Sequence, residues 1–88
     1  MAQAQPFRIL GIDPGLNITG YGVLECGIGP PRLCEAGIVR GKSRGSLTGR
    51  LLEIHQGVAD VIGALSPSVM ALEQLYSHYK RPRTAILM

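Results

Sequence analysis

The first forty residues alternate short apolar runs with turns rich in glycine and proline, a pattern that predicts β-strands. The run over residues 7–13 is too short for a stable helix and is closed by turn residues, so it predicts a buried strand. Two further strands are predicted over residues 18–25 and 33–39, separated by a turn at 27–31, and the three form an antiparallel meander. Two glycines share one face of the second strand, where packing against a neighbour is the expected reason for them: Gly20 and Gly22.

A sharp turn follows the first strand directly after an acidic residue. Asp13 ends the strand, and Pro14 and Gly15 come next. Proline presets φ for the first turn position and glycine accepts a positive φ, so a type II turn is predicted. The acid is therefore expected at the carboxyl end of a core strand, where open α/β sheets bind their ligands. On this motif alone, a role for Asp13 in capping the turn is the alternative.

A long amphipathic helix is predicted after the meander. Ser46 provides an N-cap, and Ser66 with Pro67 ends the helix after about five turns. Apolar residues recur at spacings of three and four and form one face: Leu47, Leu51, Ile54, Val58, Val61, Ile62 and Leu65. Glycines at positions 57 and 63 weaken the helix, each by about 1 kcal/mol relative to alanine. The charged residues lie off the apolar face and are expected at a solvated surface: Arg50, Glu53 and Asp60.

The next apolar run, over residues 69–73, again ends on an acid, Glu73. A strand, a helix and a strand in succession imply a right-handed crossover, so this strand is expected to lie parallel to the first. Asp13 and Glu73 would then share one end of a mixed sheet. From Arg83 onward the residues start like a helix and contain no stop signal.

These elements predict an α/β domain with a mixed sheet. Residues 1–6 are expected to be a flexible N-terminus, and residues 7–88 the N-terminal portion of the domain. One complete helix covers only one face of the sheet, whereas parallel pairing usually needs both faces covered. The chain is therefore expected to be truncated, as the front part of a longer domain.

The net charge of +3 is modest, but the basic residues are unevenly distributed. From residue 36 to residue 52 every charged residue is basic, and so is every charged residue after Glu73. Stretches of one sign suit a polyanion such as DNA, although a solvated basic loop is the simpler alternative. The candidate DNA contacts in the two loops are Lys42, Arg44, Lys80, Arg81 and Arg83.

The start of the chain lacks the features of an export signal, and the sequence contains no apolar run of membrane-spanning length. Cys26 and Cys34 lack a companion Cys/His pair at zinc-site spacing, so they are interpreted as ordinary strand residues. A reduced, cytoplasmic setting without a membrane partner is expected.

The two acids at the strand ends predict a metal site. Two carboxylates a few ångströms apart repel each other unless a cation lies between them. Mg²⁺ prefers oxygen ligands, and a pair of such ions supports phosphodiester hydrolysis. Tyr76 follows Glu73 by three residues, where its ring either stacks on an unpaired base or packs within the loop. These residues favour a metal-dependent nuclease as a hypothesis.

Residues 9–15 (ILGIDPG) and 19–23 (TGYGV) resemble the start of the RuvC family of Holliday junction resolvases, and residues 71–76 (ALEQLY) resemble that family's second motif. The resemblance spans nearly the whole chain and includes the expected helix start at 83–85. It implies an RNase H-like fold and a homodimeric, Mg²⁺-dependent endonuclease that nicks two opposed strands of a four-way DNA junction. The same resemblance implies two ions per active site, with Mn²⁺ as a substitute for Mg²⁺. It also implies a branch-migration helicase as a partner.

Asp13 and Glu73 occupy the acidic positions of the two matching motifs, so the resemblance implies that they are the metal-binding catalytic carboxylates. Tyr76 takes the place of a base-stacking aromatic residue that is usually phenylalanine in the family. The basic residues of the two loops have no counterpart residue by residue and stay candidate DNA contacts. The family's second acidic cluster lies on a later helix, beyond Met88, so the 88-residue polypeptide alone is expected not to cleave junctions.

Three alternatives stay open. The actin/Hsp70-like ATP-binding superfamily also begins with a strand that ends in D-x-G, but its Gly-Thr/Ser continuation is missing here. A non-catalytic DNA-binding remnant of the same fold would bind a junction without cutting it. YqgF-like nucleases share the early motif, although the E-Q-L-Y segment at 73–76 favours the resolvases.

Overall fold

The computed structural model of the chain describes residues 5–42, 46–73 and 84–87. These residues form a mixed sheet of five strands and one helix: β1 (Phe7–Asp13), β2 (Ile18–Cys26), β3 (Arg32–Arg40), α1 (Leu47–Leu65), β4 (Val69–Leu72) and β5 (Thr84–Leu87). The strands lie in the order β3-β2-β1-β4-β5. The central pair, β1 and β4, is parallel, and the other neighbouring pairs are antiparallel.

The meander, the helix and the parallel crossover predicted from the sequence are confirmed. β1 has the predicted bounds, while β2 and β3 extend the predicted strands by one and two residues. In the parallel register of β1 and β4, Ile12 lies opposite Leu72. The helix returns the chain across one face of the sheet, which is what allows two consecutive strands to run in the same direction. The arrangement agrees with the RNase H-like α/β fold that the resemblance implies.

The expected helix start after Arg83 is wrong in the described part of that segment, because Thr84–Leu87 form β5. β5 lies antiparallel to β4, with Ala85 opposite Ala71. Pairing with the edge of β4 satisfies backbone groups at once, so the strand is favoured.

The core lies between α1 and one face of the sheet. Leu10, Ile12 and Val23 are its buried residues, in β1 and β2. The helix contributes the apolar residues that pack against them: Val58, Val61, Ile62 and Leu65. Leu47 and Leu51, which the sequence places on the same helix face, are half exposed. The predicted apolar face is therefore exposed at its start and partly buried from Ile54 onward.

Local contacts cap both ends of α1 at the predicted residues. The Ser46 hydroxyl oxygen accepts a 3.0 Å hydrogen bond from the Gly49 amide at the N-terminus. At the C-terminus, Ser66 takes the left-handed conformation with φ at 50°, and its amide donates to the Ile62 carbonyl oxygen at 2.9 Å. Pro67 follows and cannot continue a helix.

Gly57 marks a close crossing of α1 over β3. A Cβ at this position would overlap Val39 Cγ1, so an alanine does not fit unless the backbone or Val39 moves. A Cβ at Gly63 would meet nothing within 4 Å. The sequence predicts that both glycines weaken the helix, and the structure distinguishes the one that packing requires.

The prediction of solvated charges on α1 is confirmed for Asp60 and wrong for Arg50 and Glu53. Asp60 is exposed and accepts a hydrogen bond from Gln56, one turn earlier. Arg50 and Glu53 are half-buried and bond to two loops at one end of the sheet. Helical periodicity takes account only of the helix itself, so it does not reveal contacts with loops elsewhere in the chain.

Two expectations from composition can be compared with the structure. Cys26 and Cys34 lie in β2 and β3 and form no disulfide, which agrees with their interpretation as ordinary strand residues. Over the described ranges of the chain, no helix has the length and apolar character needed to cross a membrane.

Candidate active site

Asp13 and Glu73 lie at the same end of the sheet. Ile12 and Leu72 are opposite each other in β1 and β4, and each acid is the next residue along the chain. The Glu73 amide donates a 3.2 Å hydrogen bond to the Ile12 carbonyl oxygen, which continues the parallel ladder past the end of β4. Both acids line one open cavity of about 600 Å³. Their predicted placement is confirmed, and their catalytic role stays a prediction.

The two acids belong to the face of the sheet opposite α1. Side chains alternate along a strand, and Ile12 packs in the core beneath the helix. Asp13 pairs with Gly20 of β2, and a Cβ at Gly20 would lie 3.8 Å from the Asp13 Cβ. The same alternation along β4 places Ala71 and then Glu73 on this face. Neighbouring strands lie about 4.8 Å apart, so the two acids begin from adjacent backbone positions.

The cavity beside the acids is lined largely by residues with small side chains or none: Gly11, Gly20, Gly22, Ala36, Gly37 and Ala71. A Cβ at Gly20 or Gly22 would meet no described atom closer than 3.8 Å. Packing within the described residues therefore does not explain these two glycines, contrary to expectation. They leave the backbone of β1 and β2 accessible next to Asp13.

The turn after β1 differs from the predicted type II turn. Gly15 does not take a positive φ, whereas Gly29 does. A Cβ at Gly15 would overlap the Ile18 carbonyl oxygen, so glycine is required by the close approach of the backbone. The hydroxyl of the buried Thr19 accepts from the Gly15 amide at 3.2 Å and donates to the Gly15 carbonyl oxygen at 3.0 Å. This hydroxyl closes the turn that follows Asp13.

A second set of contacts joins this turn to the loop after β3 and to α1. The Gly41 amide donates to the Asn17 carbonyl oxygen at 2.9 Å, and Arg50 Nη1 donates to Asn17 Oδ1 at 2.8 Å. The Lys42 amide donates to Glu53 Oε1 at 2.8 Å. The carboxyl end of β1 pairs with the start of β2, which in turn pairs with the end of β3. The basic loop therefore begins at the end of the sheet that carries the two acids.

Lys42 is the candidate DNA contact that the structure describes, and it is exposed at this end of the sheet. The other predicted DNA-binding residues lie outside the described ranges: Arg44, Tyr76, Lys80, Arg81 and Arg83. Three residues around the turn are not singled out by sequence patterns as functional: Asn17, Thr19 and Arg50. Thr19 follows Gly15 by four residues and offered a weak local signal. Arg50 offered none, because it meets Asn17 across 33 positions of sequence.

Contacts between β2 and β3 shift the pKa values of two side chains, Glu25 and Tyr21. A hydrogen bond from Arg32, at 2.6 Å, lowers the pKa of Glu25. The Tyr21 hydroxyl donates to Glu35 at 2.7 Å, and this bond raises the pKa of Tyr21. Both pairs connect neighbouring strands, so they support the sheet that holds the two acids.

Asp13 and Glu73 fit the ligand preferences of Mg²⁺. Among the residues that the structure describes, no group of three or more His, Cys, Asp and Glu side chains is placed to hold a metal ion. Mg²⁺ is usually bound through one or two carboxylates and keeps several waters, so two acids are sufficient for one ion. The open cavity of about 600 Å³ beside them leaves room for those waters and a phosphate group.

Comparison with known proteins agrees with the motifs and the fold. The family model described as "Crossover junction endodeoxyribonuclease RuvC" matches residues 9–88. The chain belongs to the RuvC family. The enzyme class of this family is crossover junction endodeoxyribonuclease, and the mixed sheet with its parallel β1–β4 pair is consistent with the RNase H-like fold of its members.

Three relatives that carry the name crossover junction endodeoxyribonuclease RuvC illustrate the match. The protein of Rhodopirellula baltica is 55% identical over 82 residues, which cover 91% of this chain and 45% of the relative. The protein of Neorickettsia sennetsu is 47% identical over 68 residues, covering 76% and 41%. The protein of Hydrogenovibrio crunogenus is 42% identical over 85 residues, covering 94% and 47%. The chain thus spans less than half the length of each of these RuvC proteins.

Proposed function

We propose that this chain carries part of the active site of a structure-specific endonuclease that resolves four-way DNA junctions in recombination and repair. The observation that carries the proposal is the placement of Asp13 and Glu73 side by side at the carboxyl ends of two parallel strands. The relatives' shared name, crossover junction endodeoxyribonuclease, supplies the substrate class.

In this proposal Asp13 and Glu73 are the catalytic carboxylates that bind the metal. Bound Mg²⁺, as two ions in the complete protein and with Mn²⁺ as a substitute, supplies charge neutralisation and an activated water for phosphodiester hydrolysis. Asp13 follows Ile12 and precedes a turn closed by Thr19, while the Glu73 amide is bonded to Ile12. The protein thereby holds two oxygen ligands at adjacent backbone positions before the metal arrives.

The basic residues of the two loops are proposed to hold the DNA backbone. Phosphate contacts from lysine and arginine position a protein on DNA without reading its sequence. Lys42 is exposed, and the bond from its amide to Glu53 fixes where its side chain begins. The full set comprises Lys42, Arg44, Lys80, Arg81 and Arg83, with Tyr76 as the residue that stacks on an unpaired base.

The complete protein is proposed to act as a homodimer. Symmetric nicking of two opposed strands requires two active sites, and a two-fold dimer is the simplest assembly that provides them. A branch-migration helicase is the further proposed partner. The 88-residue polypeptide alone is expected not to cleave junctions, because among the described residues two carboxylates line this cavity and a two-ion site needs more ligands.

A titration with Mn²⁺ tests the metal site in this chain directly, because the paramagnetic ion broadens NMR signals of nearby amides. The signals of Asp13 and Glu73 are expected to broaden first. Asp13→Asn removes a ligand and should weaken Mn²⁺ binding by at least about tenfold. Asp60→Asn makes the same charge change on an exposed part of α1 and serves as the control. Equal Mn²⁺ binding by Asp13→Asn and the wild type would contradict the proposal.

A chimera tests the nuclease activity. This chain replaces the matching 82 residues of the Rhodopirellula baltica relative, to which it is 55% identical. The chimera is expected to nick four-way junctions in Mg²⁺, and Asp13→Asn or Glu73→Gln should abolish nicking while Asp60→Asn leaves it unchanged. Undiminished nicking by the Asp13→Asn chimera would overturn the assignment of that carboxylate. The polypeptide by itself should show no nicking in the same assay.

A further inference from the structure

We infer that Arg50 is a positioning residue for the metal site, which acts through Asn17 on the turn that follows Asp13. The inference rests on the proposed function, because it concerns a carboxylate that the proposal assigns to the metal. Arg50 extends from α1 to this turn across 33 positions of sequence.

The turn between β1 and β2 has an inner and an outer anchor. On the inner side, the buried Thr19 hydroxyl bonds to both the amide and the carbonyl oxygen of Gly15. On the outer side, Asn17 accepts two bonds, from the Gly41 amide at 2.9 Å and from Arg50 Nη1 at 2.8 Å. The Gly41 bond ties the turn to a loop, whereas the Arg50 bond ties it to a helix. The helix is the more rigid support.

Arg50 also packs against the loop after β3. A Cβ at Gly41 would lie 3.0 Å from the Arg50 Cβ and 3.1 Å from the Leu16 carbonyl oxygen, so the loop passes closely between helix and turn. Within the described residues, Arg50 Nε is buried without a hydrogen-bond partner. Burying a donor in this way is unfavourable, and an aliphatic side chain would fill the space without that cost. What the arginine adds is its bond to Asn17.

Metal affinity is sensitive to this anchor, because outer groups that orient a ligand contribute to binding even though they do not touch the metal. Pro14 has a fixed φ, which removes one of the backbone rotations that could absorb a displacement of the turn next to Asp13. Glu73 is held separately, through its amide bond to Ile12. Loss of the Arg50 bond therefore changes the spacing of the two carboxylates without changing their chemistry.

The test compares Mn²⁺ binding, followed by broadening of the Asp13 and Glu73 amide signals, in variants of the 88-residue chain. Arg50→Ala and Asn17→Ala should each weaken binding by about three- to tenfold, the range expected for the loss of one hydrogen bond. The double variant should be no weaker than either single variant, because both remove the same contact. Arg50→Lys keeps a positively charged donor on a long side chain and should recover part of the affinity. Asn17 is exposed, so its variant tests the contact with little risk to the fold.

Arg8→Ala is the matched control. Arg8 Nη1 donates to the Leu65 carbonyl oxygen at 3.0 Å, so this variant also removes an arginine bond between the sheet and α1, at the opposite end of the sheet. It should lower the melting temperature and leave Mn²⁺ binding unchanged. Equal Mn²⁺ binding by Arg50→Ala and the wild type, or equal weakening by Arg50→Ala and Arg8→Ala, would overturn the positioning role. If the wild type itself shows no broadening at the two acids, the proposed function fails, and this inference fails with it.

Discussion

Gly57 and Gly63 lie in the same helix, yet their replacement by alanine is expected to change stability in opposite directions. Alanine is favoured over glycine in a helix interior by about 1 kcal/mol at either position. A Cβ at Gly63 meets nothing within 4 Å, so Gly63→Ala should raise the free energy of unfolding by about 1 kcal/mol. This variant measures the helix propensity term alone.

At Gly57 the packing of α1 on β3 opposes the same gain. The added Cβ would overlap Val39 Cγ1 and would lie 3.1 Å from Cγ2 and 3.3 Å from the Val39 Cβ. Rotation about χ1 exchanges the methyl groups but leaves the Val39 Cβ in place, so the backbones must separate. Overpacking costs about 1–3 kcal/mol, with the upper part of that range expected when backbone moves. After subtraction of the propensity gain, Gly57→Ala should destabilise the chain by about 1–2 kcal/mol.

Urea unfolding followed by circular dichroism measures both variants. For a chain of this size, each kcal/mol also corresponds to a shift of about 4–8 °C in Tm. Val39→Ala is the diagnostic partner, because it removes the overlapping methyl groups and should largely abolish the cost of Gly57→Ala in the double variant. Stabilisation by Gly57→Ala equal to that by Gly63→Ala would refute the packing explanation. So would a cost of Gly57→Ala that Val39→Ala leaves unchanged.

Three further predictions concern the turn and the sheet. Thr19→Val keeps the buried shape but removes both bonds to Gly15, so urea titration should show a loss of about 1–3 kcal/mol; no loss would exclude the hydroxyl as an anchor. Gly15→Ala brings a Cβ against the Ile18 carbonyl oxygen and should lower Tm, and an unchanged Tm would contradict the close approach of the backbone at this turn. The hydrogen bond from Arg32 lowers the pKa of Glu25 below its ordinary value of 4.5 in the folded chain. The stabilisation that this bond provides is therefore present above pH 4.5 and is lost as the pH falls through the pKa of Glu25 in the folded chain. Acidification below pH 4.5 should thus destabilise the wild type more steeply than Arg32→Ala, and identical pH profiles would contradict the ion pair.

Features that depend on neighbours in the chain were predictable from the sequence. The bounds of β1 follow from an apolar run closed by turn residues, and α1 begins and ends at Ser46 and Ser66 because caps act on the adjacent backbone. The meeting of Asp13 and Glu73 was expected too, because a right-handed crossover favours a parallel strand beside β1, and the two acids then share one end of the sheet.

Features in which other contacts override a local conformational preference were not predictable from the sequence. Pro14-Gly15 is typical of a type II turn, but the nearby Ile18 carbonyl oxygen and the Thr19 hydroxyl impose another geometry. Residues 84–87 resemble the start of a helix, but the edge of β4 offers them immediate pairing.

The sequence by itself determined the order and kind of the first five elements and the pair of acids at the strand ends. The tertiary structure alone decided which helix glycine is required, how the turn after Asp13 closes, and that Arg50 holds that turn. The physical reason is one of range. Propensities, caps and periodicity act over a few residues, whereas close approach and hydrogen bonds between segments depend on how the helix and the sheet pack.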